Sequence, residues 1–275
     1  MNDGMRISAS SYSNTAPLVW SFLYGSNHGK VEIILDNAPA RSAQLLEEDR
    51  VDAALVPVIA YQTLRDVKLI ADVCVGARER VRSVCLVTSG ADLKDVRSVA
   101  LDTSSRTSVA LTKIIFREFL ANEPEFRSAA PDVSAMLSGA DAALIIGDPA
   151  LSIAAGSRNP PADAGGSPFR VFDLAELWRA NTGLGFIFAM WMTRRESVAI
   201  DYASARDEGL ANVDSIAASY AANLPLTQAE MREYLTGNIT YTPDESMVEG
   251  MHLYFELAKK HGLIAENRDL RFIEK

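Results

Sequence analysis

The sequence has little of what most metal, redox and nucleotide sites require. Its 275 residues include three histidines, His28, His252 and His261, and none stands at metal-ligand spacing from another ligand residue. No Gly-x-Gly-x-x-Gly, phosphate-binding loop or Gly-x-Ser-x-Gly elbow occurs. We therefore expect no metal and no cofactor, and the signals of a zinc hydrolase, a nucleotide-phosphate enzyme and a serine hydrolase are all missing.

Cysteine is also scarce. The two cysteines, Cys74 and Cys85, both lie in apolar, strand-like runs. A secreted, disulfide-bonded scaffold normally carries more cysteines at regular spacing. This pattern predicts two reduced, buried thiols.

Positive charge and long apolar runs are lacking as well. The net charge is -9 and the isoelectric point is near 4.9, whereas nucleic-acid binders usually carry a basic patch. The N-terminus has no basic segment followed by an apolar one, and no apolar run approaches the length of a membrane span. We expect a cytoplasmic protein without a nucleic-acid or membrane partner.

What is present is an alternation of strand and helix patterns. Apolar strand-like runs at 5–10, 31–35, 52–56, 67–75, 83–88, 96–101, 141–146 and 186–192 are interleaved with helical patterns. This order predicts an α/β fold with a parallel sheet. Helical patterns follow at 197–221, 226–236 and 243–261, with Gly262 placed to end the last helix. Residues 155–168 have the composition of a mobile surface loop.

An internal similarity suggests two lobes. A helical pattern leads into Asp52-Ala-Ala-Leu, and another leads into Asp141-Ala-Ala-Leu. The match is either a chance result in an alanine-rich chain or the mark of two lobes built alike. We predict lobe one from 1–90 plus 193–275 and lobe two from 91–192, with a ligand cleft between them.

Polar loops follow several strands and give candidate binding residues. The turn Ser104–Thr107, just before a helix, could hold a carboxylate on hydroxyls and free backbone N–H groups, with Arg106 adding charge. Ser and Thr are also ordinary helix caps. Ser83 could be a plain strand-edge serine, and Asn14 and Asp148 could be turn residues.

Several segments together resemble a known family. They are Tyr12–Pro17, Asp52–Val58, Val81–Val84, Leu101–Ser108, Ile146–Leu151, Thr182–Trp191 and Ile239–Tyr241. In this order they resemble the chorismate dehydratase (MqnA) family of menaquinone biosynthesis, over essentially the whole chain. Ser13 stands where the family usually has Leu, and Gly185 where it has Pro. We expect both departures to affect packing more than chemistry.

The resemblance implies a two-lobed fold like the type II periplasmic binding proteins, with the cleft between the lobes. It implies a lyase of the hydro-lyase type that converts chorismate to 3-[(1-carboxyvinyl)oxy]benzoate and water, without a cofactor. The catalytic residues expected from it are Asn14 and Ser83. The expected substrate-binding residues are Tyr12, Pro57, Ser104, Ser105, Arg106, Thr107 and Asp148. The oligomeric state is left open.

The expected chemistry needs orientation more than a strong base, because the elimination makes the ring aromatic. The proton acceptor stays open, and the substrate's own side-chain carboxylate is a candidate. Three other functions also stay open. A transport solute-binding protein would want a signal peptide, and the sister enzyme that makes dihydroxynaphthoate would want a histidine within 90–190. A non-enzymatic binding module would bind chorismate without an aromatic product.

Overall fold

The computed structural model describes residues 4–158 and 169–273. Its strands are, in chain order, β1 (Met5–Ser10), β2 (Val31–Asp36), β3 (Ala53–Pro57), β4 (Lys68–Ala77), β5 (Val84–Thr88), β6 (Ser98–Asp102), β7 (Glu125–Ala129), β8 (Ala142–Ile146), β9 (Arg170–Asp173), β10 (Phe186–Thr193) and β11 (Phe272–Ile273). Its helices are α1 (Ala16–Leu23), α2 (Pro39–Glu47), α3 (Thr107–Ile114), α4 (Val133–Gly139), α5 (Gly147–Arg158), α6 (Leu174–Thr182), α7 (Tyr202–Ala211), α8 (Val213–Ala221), α9 (Gln228–Glu233) and α10 (Glu245–Lys260). The predicted α/β class is confirmed.

The strands form two separate sheets. The first has six strands in the order β11-β4-β10-β3-β1-β2, and the second has five in the order β7-β6-β8-β5-β9. In each sheet three parallel strands lie together, because helices connect them on the faces. Each sheet is then continued by an antiparallel strand, β10 beside β3 and β5 beside β8.

The sheets correct the predicted lobe boundaries at 90 and 192. Strand β5 pairs with β8 and β9 in the second sheet, and β10 pairs with β3 and β4 in the first. The chain therefore crosses between the lobes at 78–83 and returns at 183–185, each one strand earlier than predicted. Both strands are continuous apolar runs, so their composition does not reveal which sheet they join.

Local chemistry sets many of the helix ends. Pro17 lies in the first turn of α1, as its fixed φ favours. Asp244 caps α10 by accepting from the N–H of Met247, and Gly262 follows that helix with φ 66°, so its predicted role as a stop is confirmed. The pattern at 197–221 splits at Asn212 into α7 and α8.

The predicted loop at 155–168 is partly wrong. Residues 155–158 continue α5, which runs from Gly147 to Arg158. The rest of the predicted loop, 159–168, lies outside the described residues. The four residues that extend the helix include Ala155, which favours helix, so composition alone placed the boundary too early.

The C-terminal helices do more than cover the first lobe. Helix α7 packs on α1 and β4, whereas α10 contacts both β10 and α3 and so touches both lobes. Helix α10 approaches the returning chain segment very closely at Gly250, where an added Cβ would lie 2.1 Å from the carbonyl oxygen of Gly185. Only glycine fits this contact between α10 and the returning chain segment.

Most buried apolar side chains form one large cluster, and both cysteines are buried. Cys74 and Cys85 are free and fully buried, as predicted. Burial raises the pKa of both thiols, so they stay neutral in the core. Within 4–158 and 169–273, no helix combines the length and apolar character needed to span a bilayer.

Candidate active site

The loops at the carboxyl ends of β1, β3, β6 and β8 meet around one cavity. Its volume is about 60 Å³, and it is lined by Tyr12, Asn14 and Pro57 from the first lobe and by Ser105 and Thr107 from the second. These predicted site residues are thus brought together between the lobes. Carboxyl ends of strands converge in this way in open α/β sheets, and ligands bind there.

Asn14 lines this cavity and carries a buried polar atom without a hydrogen-bond partner among the described residues. It lies in the single 3-10 turn Ser13–Thr15 between β1 and α1. The hydroxyl of Thr15 donates to the carbonyl oxygens of Ser10 and Tyr12, at 2.6 and 2.8 Å, and holds that turn in place. The amide oxygen Oδ1 of Asn14 is buried and has no hydrogen-bond partner among the described residues. A buried acceptor of this kind is costly unless a ligand or water completes it.

Ser83 lies behind the cavity wall. It is fully buried and directly precedes Val84, which lines the cavity. Its carbonyl oxygen accepts from the N–H of Gly147 at 2.7 Å, which ties β5 to the end of β8. Its hydroxyl donates to the carbonyl oxygen of Val81 at 3.4 Å, a weak hydrogen bond.

Tyr234 was missed by the sequence analysis and lies beside both predicted catalytic residues. Its side chain is fully buried, and its hydroxyl has no hydrogen bond of normal geometry. Burial raises the pKa of Tyr234, and the nearby Ser83 and Asn14 side chains partly offset that rise. In the sequence Tyr234 has the pattern of an ordinary helical core residue, so no local signal could have found it.

The hydroxyls before α3 are occupied by structural bonds. Ser104 Oγ donates to Asp102 Oδ1 at 2.6 Å, Ser105 Oγ accepts from the N–H of Ser108 at 3.1 Å, and Thr107 Oγ1 accepts from the N–H of Ile59 at 3.3 Å. The capping interpretation that the sequence left open is therefore correct for Ser105. The bond from Ile59 to Thr107 also joins the two lobes.

Arg106 and Ser104 do not line the cavity. Arg106 is half-buried at the N-cap of α3, and its guanidinium makes no hydrogen bond or ion pair with any residue that the structure describes. Ser104 is buried one turn away, where its carbonyl oxygen accepts from the N–H of Ala40 at 3.2 Å. Arg106 is thus the available charge at this end of the helix.

Tyr12 bridges the lobes by lying against Gly147. An added Cβ at Gly147, whose φ is 68°, would come within 2.7 Å of the Tyr12 ring. Burial raises the pKa of Tyr12, and a hydrogen bond with Ser104 partly offsets the rise. Tyr12 is therefore a protonated donor at neutral pH rather than a base.

Asp148 faces Ser13, not the cavity. Its carboxylate accepts from the Ser13 N–H at 3.1 and 3.2 Å and from the Ser13 hydroxyl at 2.5 Å. Burial raises the pKa of Asp148, and the Ser13 bonds act in the opposite direction. The hydroxyl of Ser13 therefore joins the first lobe to the second, a structural contact beyond the packing role expected from the sequence.

A buried carboxylate fixes the first crossing between the lobes. Asp173 accepts from the N–H groups of Val81 at 3.0 Å and Arg82 at 2.6 Å, and from those of Ala175 and Glu176 at 3.0 and 3.2 Å. Arg82 has φ 61°, an uncommon conformation for a residue with a side chain. Asp173 therefore holds the strained residue that directly precedes Ser83.

Similarity to known sequences identifies the family. A sequence model of the family described as menaquinone biosynthesis matches residues 5–260. The chain belongs to the menaquinone biosynthesis family. It is 33% identical over 235 residues to the chorismate dehydratase of Thermus thermophilus, covering 81% of this chain and 85% of that protein. The resemblance drawn from the sequence is confirmed.

Similarity to solved structures confirms the periplasmic-binding-protein-like fold. A protein from Archaeoglobus fulgidus matches with a TM-score of 0.67 at 18% identity, covering 96% of this chain and 99% of that one. The periplasmic aliphatic sulphonate binding protein of Escherichia coli matches with a TM-score of 0.62 at 15% identity, covering 100% and 95%. At such low identity these matches concern the fold alone.

The cavity of this family member is small and carries hydrogen-bonding groups rather than ionisable acids or bases. Its lining includes hydroxyl, amide and apolar side chains, and no Asp, Glu, Lys, Arg or His among the described residues. Small-molecule sites usually measure about 300–1,000 Å³, so at about 60 Å³ this cleft is nearly closed. Such a site can orient a ligand and exclude water, and the lobes must separate to admit it.

Proposed function

We propose that this protein is a chorismate dehydratase, a hydro-lyase of menaquinone biosynthesis that acts in the cytoplasm. The observation that carries the proposal is the 33% identity to a chorismate dehydratase over 81% of the chain. The cavity supports it, because the predicted residues Tyr12, Asn14, Pro57, Ser105 and Thr107 all line it. Family membership over residues 5–260 places the activity in the same biosynthesis.

The reaction removes one water from chorismate. The C–H bond breaks on the ring carbon that bears the enolpyruvyl ether, and the C–O bond breaks on the neighbouring carbon. The proton passes through an acceptor to the departing hydroxide, so that one water is lost in total, and the ring of 3-[(1-carboxyvinyl)oxy]benzoate is aromatic. Since aromatisation supplies much of the driving force, the protein has to hold the substrate in one reactive geometry and suppress its competing rearrangements.

The proposed roles follow from which groups remain unpaired. Asn14 contacts the substrate with its amide and assists the departing hydroxyl, with Ser83 beside it. Arg106, the first N–H groups of α3 and the hydroxyls of Ser105 and Thr107 hold a carboxylate, because these two hydroxyls only accept hydrogen bonds within the protein and can still donate. The substrate's side-chain carboxylate takes the proton, in keeping with a described lining that offers no carboxylate or imidazole.

The deciding experiment is incubation of the purified protein with chorismate. We expect an aromatic product lighter than chorismate by one water, followed by ultraviolet absorbance and mass spectrometry. A buffer sample without protein controls for spontaneous rearrangement. Saturable binding of chorismate without this product would favour the alternative, a small-carboxylate binding protein with the fold that this chain has in common with the aliphatic sulphonate binding protein of Escherichia coli.

Two variants separate catalysis from binding in that assay. Asn14→Ala should lower kcat roughly 100-fold with a small change in KM, as when one donor to a developing charge is removed. Arg106→Ala should raise KM about tenfold with a small change in kcat, as expected for a lost hydrogen bond to a charged group. A near-normal kcat in Asn14→Ala would exclude Asn14 from the mechanism, and an unchanged KM would remove Arg106 from binding.

A further inference from the structure

A second cavity lies at the opposite end of the first sheet from the candidate active site. Its volume is about 660 Å³, within the range of roughly 300–1,000 Å³ that is usual for small-molecule sites. Strand β10 runs antiparallel to β3 and β4, so it ends beside the residues where those two strands begin. The candidate active site lies at the carboxyl ends of β1 and β3, so the length of the sheet separates the two cavities.

The register of the strands brings basic residues to the second cavity. Lys68, the first residue of β4, pairs with Thr193, the last residue of β10, and Arg194 comes directly after that pair. On the other side of β4, the carbonyl oxygen of Arg271 accepts from the N–H of Leu69 at 2.8 Å. Since neighbouring strands are about 4.8 Å apart, Arg194, Lys68 and Arg271 come from three adjacent strand ends.

The lining of the second cavity has more basic than acidic side chains. The basic ones are Lys68, Arg194, Arg268 and Arg271, and the acidic ones are Asp66, Glu196 and Asp269. Lys68 and Glu196 form an ion pair with each other. An excess of positive charge at one cavity stands out in a protein whose net charge is -9.

Two of these arginines carry donors that lack acceptors. The Nε atoms of Arg194 and Arg268 are buried and have no hydrogen-bond partner among the described residues. The adjacent Arg195 has the usual arrangement, because its Nε donates to Asp52 Oδ1 at 2.9 Å. A buried donor on a charged group is costly when unpaired. Two such groups at one cavity indicate that their acceptor is an anion from outside the protein.

The guanidinium of Arg268 is already held in place. Its Nη2 donates to the carbonyl oxygen of Leu64 at 2.7 Å, and its central carbon lies 5.1 Å from the centroid of the Tyr61 ring. The Tyr61 hydroxyl in turn donates to the carbonyl oxygen of Asp269 at 2.6 Å. Binding at this residue would therefore cost little conformational entropy.

We propose that the second cavity binds a small hydroxylated oxyanion, either a phosphate ester or a carboxylate. Arg194 and Arg268 donate to the oxyanion, after a small rotation that turns their Nε groups toward it. The carboxylates of Asp66 and Asp269 accept from the hydroxyls of the ligand, which favours a hydroxylated molecule over a bare ion. The ligand joins the end of β10 to the C-terminal segment and stabilises the pairing of β11 with β4. This site is independent of the proposed dehydration of chorismate.

The test is a calorimetric titration of the full-length protein with three probes of similar size. They are glycerol 3-phosphate, glycerate and uncharged glycerol, all at one ionic strength set with sodium chloride. We expect saturable binding of at least one charged probe, a higher thermal midpoint in its presence, and no binding of glycerol. The tighter charged probe identifies the ligand as a phosphate ester or a carboxylate. Failure of both charged probes to bind would overturn the proposal.

Three variants locate the bound probe. Arg194→Gln should weaken its binding at least about tenfold, because a hydrogen bond to a charged group is lost. Arg195→Gln removes the same charge from the neighbouring residue, which is paired with Asp52, and should change affinity by less than about twofold. Arg106→Gln should also leave affinity within about twofold, because Arg106 belongs to the opposite end of the strands.

Two results with these variants would contradict the second site. Equal losses of affinity in Arg194→Gln and Arg195→Gln would show a general effect of charge rather than a contact. A loss in Arg106→Gln with none in Arg194→Gln would place the probe in the candidate active site. Neither result depends on whether the protein dehydrates chorismate, so the two proposals can fail separately.

Discussion

The two lobes of this protein share one arrangement of strands but differ at the ends that face the cleft. In the first sheet β1 lies between β2 and β3, with antiparallel β10 next; in the second β6 lies between β7 and β8, with antiparallel β5 next. The Asp-Ala-Ala-Leu similarity therefore reflects two lobes built alike, one of the two interpretations that the sequence allowed.

At the amino ends of the strands the lobes use the same residue in the same way. The carboxylate of Asp52 accepts from the N–H of Arg6 at 2.7 Å, at the start of β1. The carboxylate of Asp141 accepts from the N–H groups of Arg97 and Ser98 at 2.9 and 3.0 Å, at the start of β6. These contacts secure the middle one of the three parallel strands in each sheet.

At the carboxyl ends the lobes diverge. The hydroxyls of the second-lobe turn, from Ser104 to Thr107, are all bonded within the protein. The first-lobe turn leaves Asn14 Oδ1 without a partner among the described residues. The difference teaches that a hydroxyl-rich loop can be mostly framework, whereas an unsatisfied polar atom on a residue that lines the cavity is a candidate contact for a ligand.

The largest expected effect concerns the crossing that joins the lobes. Asp173→Ala should lower the free energy of unfolding by about 3 kcal/mol, because two interactions are lost. The buried N–H groups of Val81 and Arg82 lose their acceptor, and helix α6 loses its N-cap. Asp132→Ala removes only the cap of α4 and should cost about 1 kcal/mol.

Urea unfolding of the two variants measures this difference directly. Equal losses in the two proteins would mean that Asp173 acts only as a helix cap. The matched pair therefore isolates the contribution of the crossing segment from the contribution of capping, which the two second-lobe helices share.

The shared amino ends provide an intermediate effect. Asp52→Ala and Asp141→Ala should each cost about 1 kcal/mol or less, since solvent weakens these partly exposed contacts, and neither should alter kcat. The hydrogen bond from the N–H of Arg97 lowers the pKa of Asp141. Burial raises the pKa of Asp52, but the hydrogen bonds from Arg6 and Arg195 outweigh burial, so the pKa of Asp52 is also lowered.

The sign of the pH dependence follows from these lowered pKa values. The stability that each carboxylate contributes is present above its unfolded pKa and is lost as pH falls through the folded pKa. Each variant should therefore approach wild-type stability on acidification, as followed by thermal unfolding at several pH values. A changed kcat in either variant would contradict the view that the amino ends of the strands contribute stability and only the carboxyl ends contribute to the site.

The smallest expected effect concerns the contact between Asp148 and Ser13. Since burial raises the pKa of Asp148 in this closed arrangement, its contribution is full below the unfolded pKa and is lost as pH rises through the folded pKa. Asp148→Asn keeps an acceptor for Ser13 without the charge. The thermal midpoint of this variant should rise relative to that of the wild type as pH rises from the acid to the neutral range.

That gain should correspond to less than about 1 kcal/mol, because the Ser13 bonds offset part of the burial cost. Ser13→Ala is the companion variant and should enlarge the pH dependence, because it removes the hydroxyl bond to Asp148 and keeps the backbone N–H contact. A constant difference between Asp148→Asn and the wild type at every pH would show that Asp148 does not titrate differently in the folded state.

Much of the candidate site could be predicted because its residues lie within short segments of recognisable chemistry. Asn14 and Tyr12 follow a strand and precede a proline, and Ser105 and Thr107 precede an apolar helical pattern. Tyr234 could not be predicted, because it comes from a distant C-terminal helix in which a tyrosine is most simply explained as core.

The sequence by itself determined the α/β alternation, the polar loops at the strand ends and the family. Each of these features depends on local hydrophobic periodicity or on motifs of contiguous residues. The tertiary structure alone decided which sheet β5 and β10 join and that Ser13 meets Asp148. These outcomes depend on contacts between residues far apart in the chain, and such contacts arise only when the sheets and helices pack.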